Sequence, residues 1–192
     1  MRCLVPTVGT EGRLATLLRA QGHDVVELRV GEIVSVPEAV PPDADWLAIA
    51  SKNAISALLA EGVPSGVRLA AVGGRTAQAL RAQGLAVDFI PSVATAEALR
   101  AELAEHAPGA RVHFFKGYEN RPVPLAGPID LGAYDAAYFT CASSVERVFA
   151  QATGVTRCYA IGPTTAAALR RHGIDPIVSP EPTLEALGVR QP

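Results

Sequence analysis

Hydroxyl side chains follow glycines at two matching places in this 192-residue chain, where they could bind an anion. The first place is the segment 71–84, AVGGRTAQALRAQG, and the second is the segment 160–173, AIGPTTAAALRRHG. Eight of the fourteen aligned positions are identical without a gap, and Gly73 pairs with Gly162. Free amide N–H groups and the positive dipole end at the start of a helix attract carboxylates, so this pattern predicts anion recognition.

The elements that position these residues can be read from the same segments. Each copy reads as a short apolar strand, a glycine turn and a helix that opens on threonine, and we expect Thr76, and Thr164 or Thr165, to cap these helices. The turns at 51–53 and 143–144 share the strand-to-helix pattern. Such turns lie at the carboxyl ends of parallel strands, where ligands bind in open α/β sheets. Ordinary helix capping with no ligand is the alternative for each turn.

The repeat extends beyond the glycine turns. SKNAI at 51–55 corresponds to CASSV at 141–145, and TAEAL at 95–99 corresponds to TLEAL at 183–187. The period is about 90 residues, which is the size of one small domain rather than of a solenoid repeat. We therefore expect two related lobes that face each other across a cleft.

Short apolar runs alternate with helical patterns along the whole chain, and one of the predicted strands covers 87–90. This alternation predicts an α/β fold with two similar lobes, each a parallel sheet flanked by helices, and with the first lobe discontinuous. Proline-rich segments suggest where the chain crosses between lobes. The predicted division is lobe 1, residues 1–32 plus 130–192; lobe 2, residues 38–118; and inter-lobe connectors, residues 33–37 and 119–129.

Composition and motif absences narrow the function classes. The net charge of −2 argues against a nucleic-acid partner, because phosphate binding needs a basic face. No apolar run reaches membrane-spanning length, and the first residues do not resemble a signal peptide. Three scattered cysteines suggest a reduced, cytoplasmic protein. The sequence lacks phosphate-loop, dinucleotide, zinc-protease and nucleophile-elbow motifs, and its histidines have no metal spacing, so we expect no cofactor and no metal.

Most of the chain resembles the uroporphyrinogen-III synthase family. IGPTTA followed by PTLEAL is the most specific part of the match. The runs that carry the resemblance, in family order, are LAIASKNAIS at 47–56, LAAVGGRTAQALRAQGL at 69–85, TAEALRAEL at 95–103, VHFFKGYENR at 112–121, YFTCASSVERVF at 138–149, YAIGPTTAAALRRHG at 159–173 and PTLEAL at 182–187.

This resemblance implies a monomeric, two-lobed α/β enzyme of tetrapyrrole biosynthesis that uses no cofactor. Its substrate would be hydroxymethylbilane, a linear tetrapyrrole with eight carboxylates. The reaction loses the terminal hydroxyl as water, inverts ring D through a spiro intermediate and closes the macrocycle. Matching the family motifs residue by residue assigns substrate binding to Ser51, Asn53, Gly73, Thr76, Gly117, Arg121, Ser143, Gly162, Thr164 and Thr165.

The chain departs from the family pattern after residue 121. Members usually have a helix there, then an extended return strand with a tyrosine that is the family's candidate for assisting the leaving hydroxyl. We expect that helix and strand to be missing here. Tyr134 is then the candidate catalytic substitute and Tyr118 a second candidate, with a packing role as the alternative for each. Lys116 and Cys141 also replace an arginine and a serine of the family motifs. These departures leave open an alternative function, a non-catalytic module of the same fold that binds a carboxylated small molecule.

Overall fold

The computed structural model describes residues 1–9 and 12–188, and the chain forms two compact units. Unit 1 consists of Met1–Glu32 and the described residues from Asn120 onward, and unit 2 is Ile33–Glu119.

The described residues form eleven strands and seven α-helices. The strands are β1 Arg2–Val8, β2 Asp24–Ser35, β3 Trp46–Ile49, β4 Arg68–Ala71, β5 Val112–Phe115, β6 Tyr118–Pro122, β7 Ile129–Asp130, β8 Ala136–Phe139, β9 Ala152–Thr153, β10 Arg157–Ala160 and β11 Ile177–Val178. The α-helices are α1 Arg13–Ala20, α2 Ile55–Glu61, α3 Gly74–Arg81, α4 Ala96–His106, α5 Ala142–Phe149, α6 Pro163–Arg171 and α7 Leu184–Gly188. Short 3-10 helices cover Lys52–Ala54 and Leu131–Ala133.

Unit 1 is built on a six-stranded sheet with the order β11-β10-β8-β1-β2-β6. The pairs β11-β10, β10-β8, β8-β1 and β1-β2 are all parallel. Successive residues of a strand point to opposite faces, so Leu4 packs with α5 and α6 while Cys3 and Val5 pack with α1 and α7. Helices therefore cover both faces of this sheet, as parallel strands require.

Unit 2 repeats this plan on a smaller scale. Its sheet has the order β4-β3-β5, and both pairs are parallel. Leu47 and Ile49 of β3 pack with α2 and α3, whereas Trp46 and Ala48 pack with α4 on the other face. The predicted α/β fold, with parallel sheets flanked by helices, is confirmed.

The chain leaves unit 1 within β2 and returns within β6, and these two strands are neighbours in the sheet order. The N–H of Val123 donates to the carbonyl of Val30 at 3.1 Å, beside this pair. The expectation that the return strand is missing is therefore wrong, because β6 forms although Pro122 ends it. Residues 116–128, all of them described, contain no helix, in line with the shortened segment seen in the sequence.

The strand predicted at 87–90 does not form. Only an isolated bridge joins Phe89 to Ala70, and the N–H of Asp88 donates to the carbonyl of Leu69 at 2.8 Å. The Asp88 carboxylate accepts the N–H of Leu69 at 2.9 Å, so a side chain takes a bond that a full strand ladder would make.

None of the helices in the described part of the chain is long and apolar enough to span a membrane.

The three cysteines are free, and they differ in burial. Cys3 and Cys158 are buried in unit 1, whereas Cys141 is partly exposed. Burial raises the pKa of the Cys158 thiol to about 11 and also raises the pKa of Cys3. The thiolate is the reactive form, so these two thiols should react slowly in the folded protein.

We therefore expect iodoacetamide at pH 8 to modify Cys141 first and the two buried thiols at least about tenfold more slowly. Because folding raises the pKa of Cys158, this thiol favours the folded state at pH values below 9.0, the ordinary pKa of a cysteine thiol. This contribution to stability is lost as the pH rises toward 11. Mass spectrometry of protein quenched at intervals measures the rates, and protein in urea is the control. Rapid native labelling of a Cys141→Ser variant would contradict the assignment.

Candidate functional site

Two glycine turns at the carboxyl ends of strands have nearly identical geometry. Gly73 joins β4 to α3, and Gly162 joins β10 to α6. Each is the N-cap of its helix with an extended backbone, φ −179° and ψ 175° at Gly73 and φ −178° and ψ −177° at Gly162. Each glycine carbonyl accepts the first helical N–H at 3.0 Å, from Ala77 and Ala166 respectively. The sequence repeat is thus a repeat of backbone structure.

The segments just before α4 and α7 pack on these two glycines. A Cβ at Gly73 would lie 2.7 Å from the Cβ of Ala94, so no larger residue fits there without a shift. A Cβ at Gly162 would lie 3.8 Å from Pro182, an ordinary contact. Ala94 and Pro182 each immediately precede a capping threonine, so in both units the segment before the second helix contacts the first turn.

These threonines cap α4 and α7. The hydroxyl of Thr95 accepts the N–H of Ala98 at 3.1 Å, and the hydroxyl of Thr183 accepts the N–H of Ala186 at 3.1 Å.

The threonines of the glycine turns do not cap their helices, and that prediction is wrong. Gly73 and Gly162 hold the N-cap positions, where no side chain can accept a hydrogen bond. Thr76 and Thr165 are instead the third residues of α3 and α6, only 6% and 3% exposed. Neither hydroxyl has a hydrogen-bond partner among the described residues. Thr164, the second residue of α6, is exposed.

These unused hydroxyls lie beside unused backbone donors. The first N–H groups of a helix have no partner within it, and the positive end of the helix dipole lies at the same place. Pro163 contributes no N–H at the first position of α6, so the donors of that turn come from the residues after it. Each turn can therefore give an anion two kinds of donor, a backbone amide and a threonine hydroxyl.

The turn after β3 brings Ser51 and Asn53 to the same edge of unit 2. The Ser51 hydroxyl oxygen accepts the N–H of Asn53 at 3.2 Å and caps the 3-10 helix. The serine hydrogen remains available to a ligand, because a hydroxyl can accept and donate at once.

The corresponding turn of unit 1 follows β8 and carries Ser143. Its hydroxyl oxygen accepts a hydrogen bond from Nδ2 of Asn120 at 3.1 Å and lies 3.3 Å from Sγ of Cys141. The neighbouring Ser144 is fully buried and donates to the carbonyl of Cys141 at 2.8 Å, so its role is structural. Asn120 was not among the predicted site residues, since no motif marks it.

Gly117 is required by the shape of the chain after β5. Its φ of +56° lies in the left-handed region, and a Cβ there would lie 2.5 Å from Phe115 and 2.7 Å from Ala57. Its N–H is already used, because it donates to Oε2 of Glu38 at 2.7 Å. The backbone N–H of Lys116 donates to the same oxygen at 3.0 Å.

Glu38 thus occupies the backbone donors that would suit a ligand carboxylate at Gly117. Its other oxygen lies 2.9 Å from Nε2 of His113 on β5, which holds the carboxylate in place. Glu38 lies 78 residues or more from the amides that it binds, so no local pattern could have indicated this contact. The structure therefore supports a conformational role for Gly117, while its amide is not open to substrate.

The remaining predicted residues are placed as follows. Arg121 is exposed on β6. Tyr134 lies before the amino end of β8, under the guanidinium of Arg2 at 5.1 Å, so β8 separates it from Ser143 at the carboxyl end. Tyr118 directly follows Gly117 at the carboxyl end of β5 and is partly buried against the core of unit 2. The structure does not bring Tyr134 to the edge that carries the turns.

Neighbouring strands collect the other residues into one edge in each unit. The turns of unit 2 that follow β4, β3 and β5 are adjacent because those strands are adjacent. In unit 1 the turns after β8 and β10 are adjacent for the same reason.

A hydrogen bond also connects the two helices that follow these turns. His172 donates to Glu146 at 2.8 Å, which links α6 to α5. Hydrogen bonds from His172 and Arg171 lower the pKa of Glu146.

Cations lie at the edge of unit 2. Lys52, Arg75 and Lys116 are exposed, one in each of the three turns, and the two lysines are the only ones in the chain. Their side chains make this edge attractive to anions despite the net charge of −2. Among the residues with described positions, no three His, Cys, Asp or Glu side chains are grouped to hold a metal ion.

Comparisons with known proteins point to one family. A family model described as uroporphyrinogen-III synthase HemD matches residues 12–127 and 124–188. A curated uroporphyrinogen-III synthase from Synechococcus elongatus is 36% identical over an alignment of 123 residues that covers 55% of this chain and 46% of the relative. The match therefore spans about half the length of that relative.

Solved structures share the fold. The uroporphyrinogen-III synthetase from Helicobacter pylori has a TM-score of 0.68 and 22% identity, and 97% of this chain and 96% of that chain are covered. A mutant uroporphyrinogen III synthase from Thermus thermophilus has a TM-score of 0.59 and 20% identity, with 97% and 96% covered.

The strained position of Gly117 generates a stability prediction. We expect Gly117→Ala to cost about 2–5 kcal/mol of unfolding free energy, because left-handed strain adds to crowding against Phe115 and Ala57. Gly66 is the matched control, since its φ is +83° but a Cβ there meets nothing within 4 Å. Gly66→Ala should cost about 1–2 kcal/mol. Urea unfolding measures both, and equal costs for the two variants would contradict the crowding.

Proposed function

The chain belongs to the uroporphyrinogen-III synthase family, and we propose that it catalyses the reaction in that name. The substrate would be hydroxymethylbilane, and the product the cyclic uroporphyrinogen III with ring D inverted. One observation carries the proposal. Each unit presents a glycine turn with a buried threonine, Thr76 or Thr165, whose hydroxyl has no partner within the described chain.

The substrate explains why such donors are useful. A linear tetrapyrrole with eight carboxylates is flexible and strongly anionic, so it must be bound at several points in one conformation. Amide N–H groups, hydroxyls and the dipole ends of α3 and α6 suit carboxylates, and charge-assisted hydrogen bonds are among the stronger ones. The exposed cations Lys52, Arg75 and Lys116 supply attraction at the edge of unit 2.

The chemistry needs orientation more than a strong acid or base. The C–O bond of the terminal hydroxymethyl group breaks, the leaving oxygen takes a proton to become water, and an azafulvene cation remains. Attack on this cation by ring D gives the spiro intermediate, which rearranges and closes the ring with loss of a proton. When the enzyme binds the substrate in one pre-closure geometry, the entropy cost of reaching that geometry is met on binding and no longer adds to the barrier of the chemical step. Fixed dipoles near the leaving oxygen lower the barrier further.

A hydroxyl donor to the leaving oxygen is the remaining requirement, and we propose Tyr118 for this role. It follows Gly117 at the edge that carries the unit 2 turns, and its phenol has no hydrogen-bond partner in the described part of the chain. Tyr134 is less suitable because it lies at the amino end of β8.

We further propose that the enzyme acts as a monomer in the cytoplasm without a cofactor. The free state of Cys3, Cys141 and Cys158 supports a reducing compartment. The reaction is a dehydration and rearrangement with no net redox change, so no redox cofactor is required.

An isomer assay tests the proposed activity. Porphobilinogen and hydroxymethylbilane synthase generate the substrate, and the oxidised products are separated by chromatography. We expect isomer III to dominate with the wild-type protein and kcat/KM to fall about 10- to 100-fold in Thr165→Val, which loses a hydrogen bond to a charged group. Thr165→Ser, which keeps the hydroxyl, should stay within about threefold of wild type. Isomer I alone from wild-type protein would refute the activity and favour the non-catalytic carboxylate-binding module.

Two tyrosine variants test the proton donor. Tyr118→Phe should lower kcat by about 100-fold or more, because it removes the phenolic hydroxyl that assists the leaving group while keeping the ring. Tyr134→Phe is the matched control and should leave kcat within about threefold. Single-turnover measurement of isomer III formation separates the chemical step from product release. Full kcat in Tyr118→Phe would exclude Tyr118 as the donor.

A further inference from the structure

Three side chains of unit 1 form a hydrogen-bonded chain that ends at Ser143. Nη1 of Arg147 on α5 donates to Oδ1 of Asn120 on β6 at 2.8 Å, and Nη2 donates to the backbone carbonyl of Asn120 at 2.8 Å. Nδ2 of Asn120 donates to Oγ of Ser143 at 3.1 Å. All three residues are partly buried, so the chain is shielded from bulk water without being closed to a ligand.

The chemistry of arginine gives this chain a direction. A guanidinium has only donors, so the amide group that faces Arg147 must be the carbonyl of Asn120. The NH₂ group of the amide then faces Ser143 and donates to it. Because the serine oxygen accepts this bond, its own hydrogen points elsewhere and is free to be donated.

Gly31 provides the room for the arrangement. A Cβ at Gly31 on β2 would lie 1.9 Å from Nη1 of Arg147 and 3.0 Å from Oδ1 of Asn120. Its φ is not in the left-handed region, so space rather than backbone conformation explains the glycine. Any side chain at this position would displace the guanidinium that orients the amide.

The serine hydrogen has one weak acceptor nearby. Sγ of Cys141 lies 3.3 Å from Oγ of Ser143, and thiol sulfur is a poor acceptor. A carboxylate is a much stronger acceptor and would take the hydrogen in preference to the thiol.

We propose that Arg147 and Asn120 are positioning residues that fix the Ser143 hydroxyl as a hydrogen-bond donor to a substrate carboxylate. Neither residue needs to touch the substrate, since the effect passes through the Asn120 amide. The identity of the ligand as a tetrapyrrole carboxylate rests on the proposed function. The direction of the hydrogen bonds from Arg147 through Asn120 to Ser143 rests on the observed contacts alone.

Asn120→Asp tests the direction with little change in shape. Both aspartate oxygens accept, so Arg147 keeps its partner and gains an opposite charge, but the Ser143 hydrogen turns toward the aspartate. The purified full chain is titrated with uroporphyrin III, a fluorescent octacarboxylate, and thermal unfolding is followed in parallel. We expect binding about 10- to 100-fold weaker with no loss of thermal stability. A purely structural role for Asn120 would not weaken binding while stability is kept.

A double-mutant cycle with Ser143→Ala separates hydroxyl direction from simple charge repulsion. In the Ser143→Ala background Asn120→Asp should weaken binding by no more than about threefold, because no hydroxyl remains to be turned. Equal losses in both backgrounds would mean charge repulsion only and would overturn the proposal, as would unchanged binding by Asn120→Asp. Absence of uroporphyrin III binding by the wild-type protein would also overturn it.

Gly31→Ala is a second variant in case Asn120→Asp does not fold. It displaces the Arg147 guanidinium and should give the same loss of binding, again only when Ser143 is present. The isomer assay of the wild-type protein is run alongside. Isomer III formation with unchanged binding by the variants refutes the positioning role alone. Isomer I with Ser143-dependent loss of binding refutes the enzymatic activity alone.

Discussion

Parallel pairing of the strands is the constraint on which the candidate site depends. When strands run in the same direction, their carboxyl ends lie along one edge and every following helix begins there. The order β4-β3-β5 therefore places the turns of unit 2 side by side, and the adjacency of β8 and β10 does the same in unit 1. Each helix start leaves amide N–H groups without intrahelical partners. An anion-binding edge follows from the topology before any particular side chain is considered.

The side chains then decide how each edge is used. Helix capping by a side chain would satisfy the free amides from within, as Thr95 and Thr183 do for α4 and α7. At α3 and α6 glycine takes the N-cap position instead, and the threonine moves to the third helical position. This exchange leaves both the amides and the hydroxyl for a ligand. Both units contain a helix capped by threonine and a helix with a glycine N-cap. The duplication is therefore stronger evidence for anion binding at the glycine turns than a single copy would be.

Some donors at the edges are already used by the protein itself. Glu38 binds the amides of Lys116 and Gly117, and the Asn120 amide binds Ser143. In the first case an internal carboxylate fills the position, so these two amides are no longer available to a ligand. In the second case the internal bond leaves the serine hydrogen free and gives it a direction. Internal hydrogen bonds can therefore close one donor and orient another on the same kind of turn.

The sequence by itself determined the alternation of strands and helices, the fold class and the positions of the two glycine turns, because these depend on residues within one or two helical turns of each other. It also marked Thr76 and Thr165, which the repeat places at equivalent positions, and Ser143, which the repeat aligns with Asn53. It failed at the capping of α3 and α6, at 87–90 and at the return strand, where competing partners decide the outcome. Only the tertiary structure decided which donors are free. Folding brings Glu38 to the amide of Lys116 across 78 residues and Asn120 to Ser143 across 23 residues. No local sequence pattern indicates either hydrogen bond.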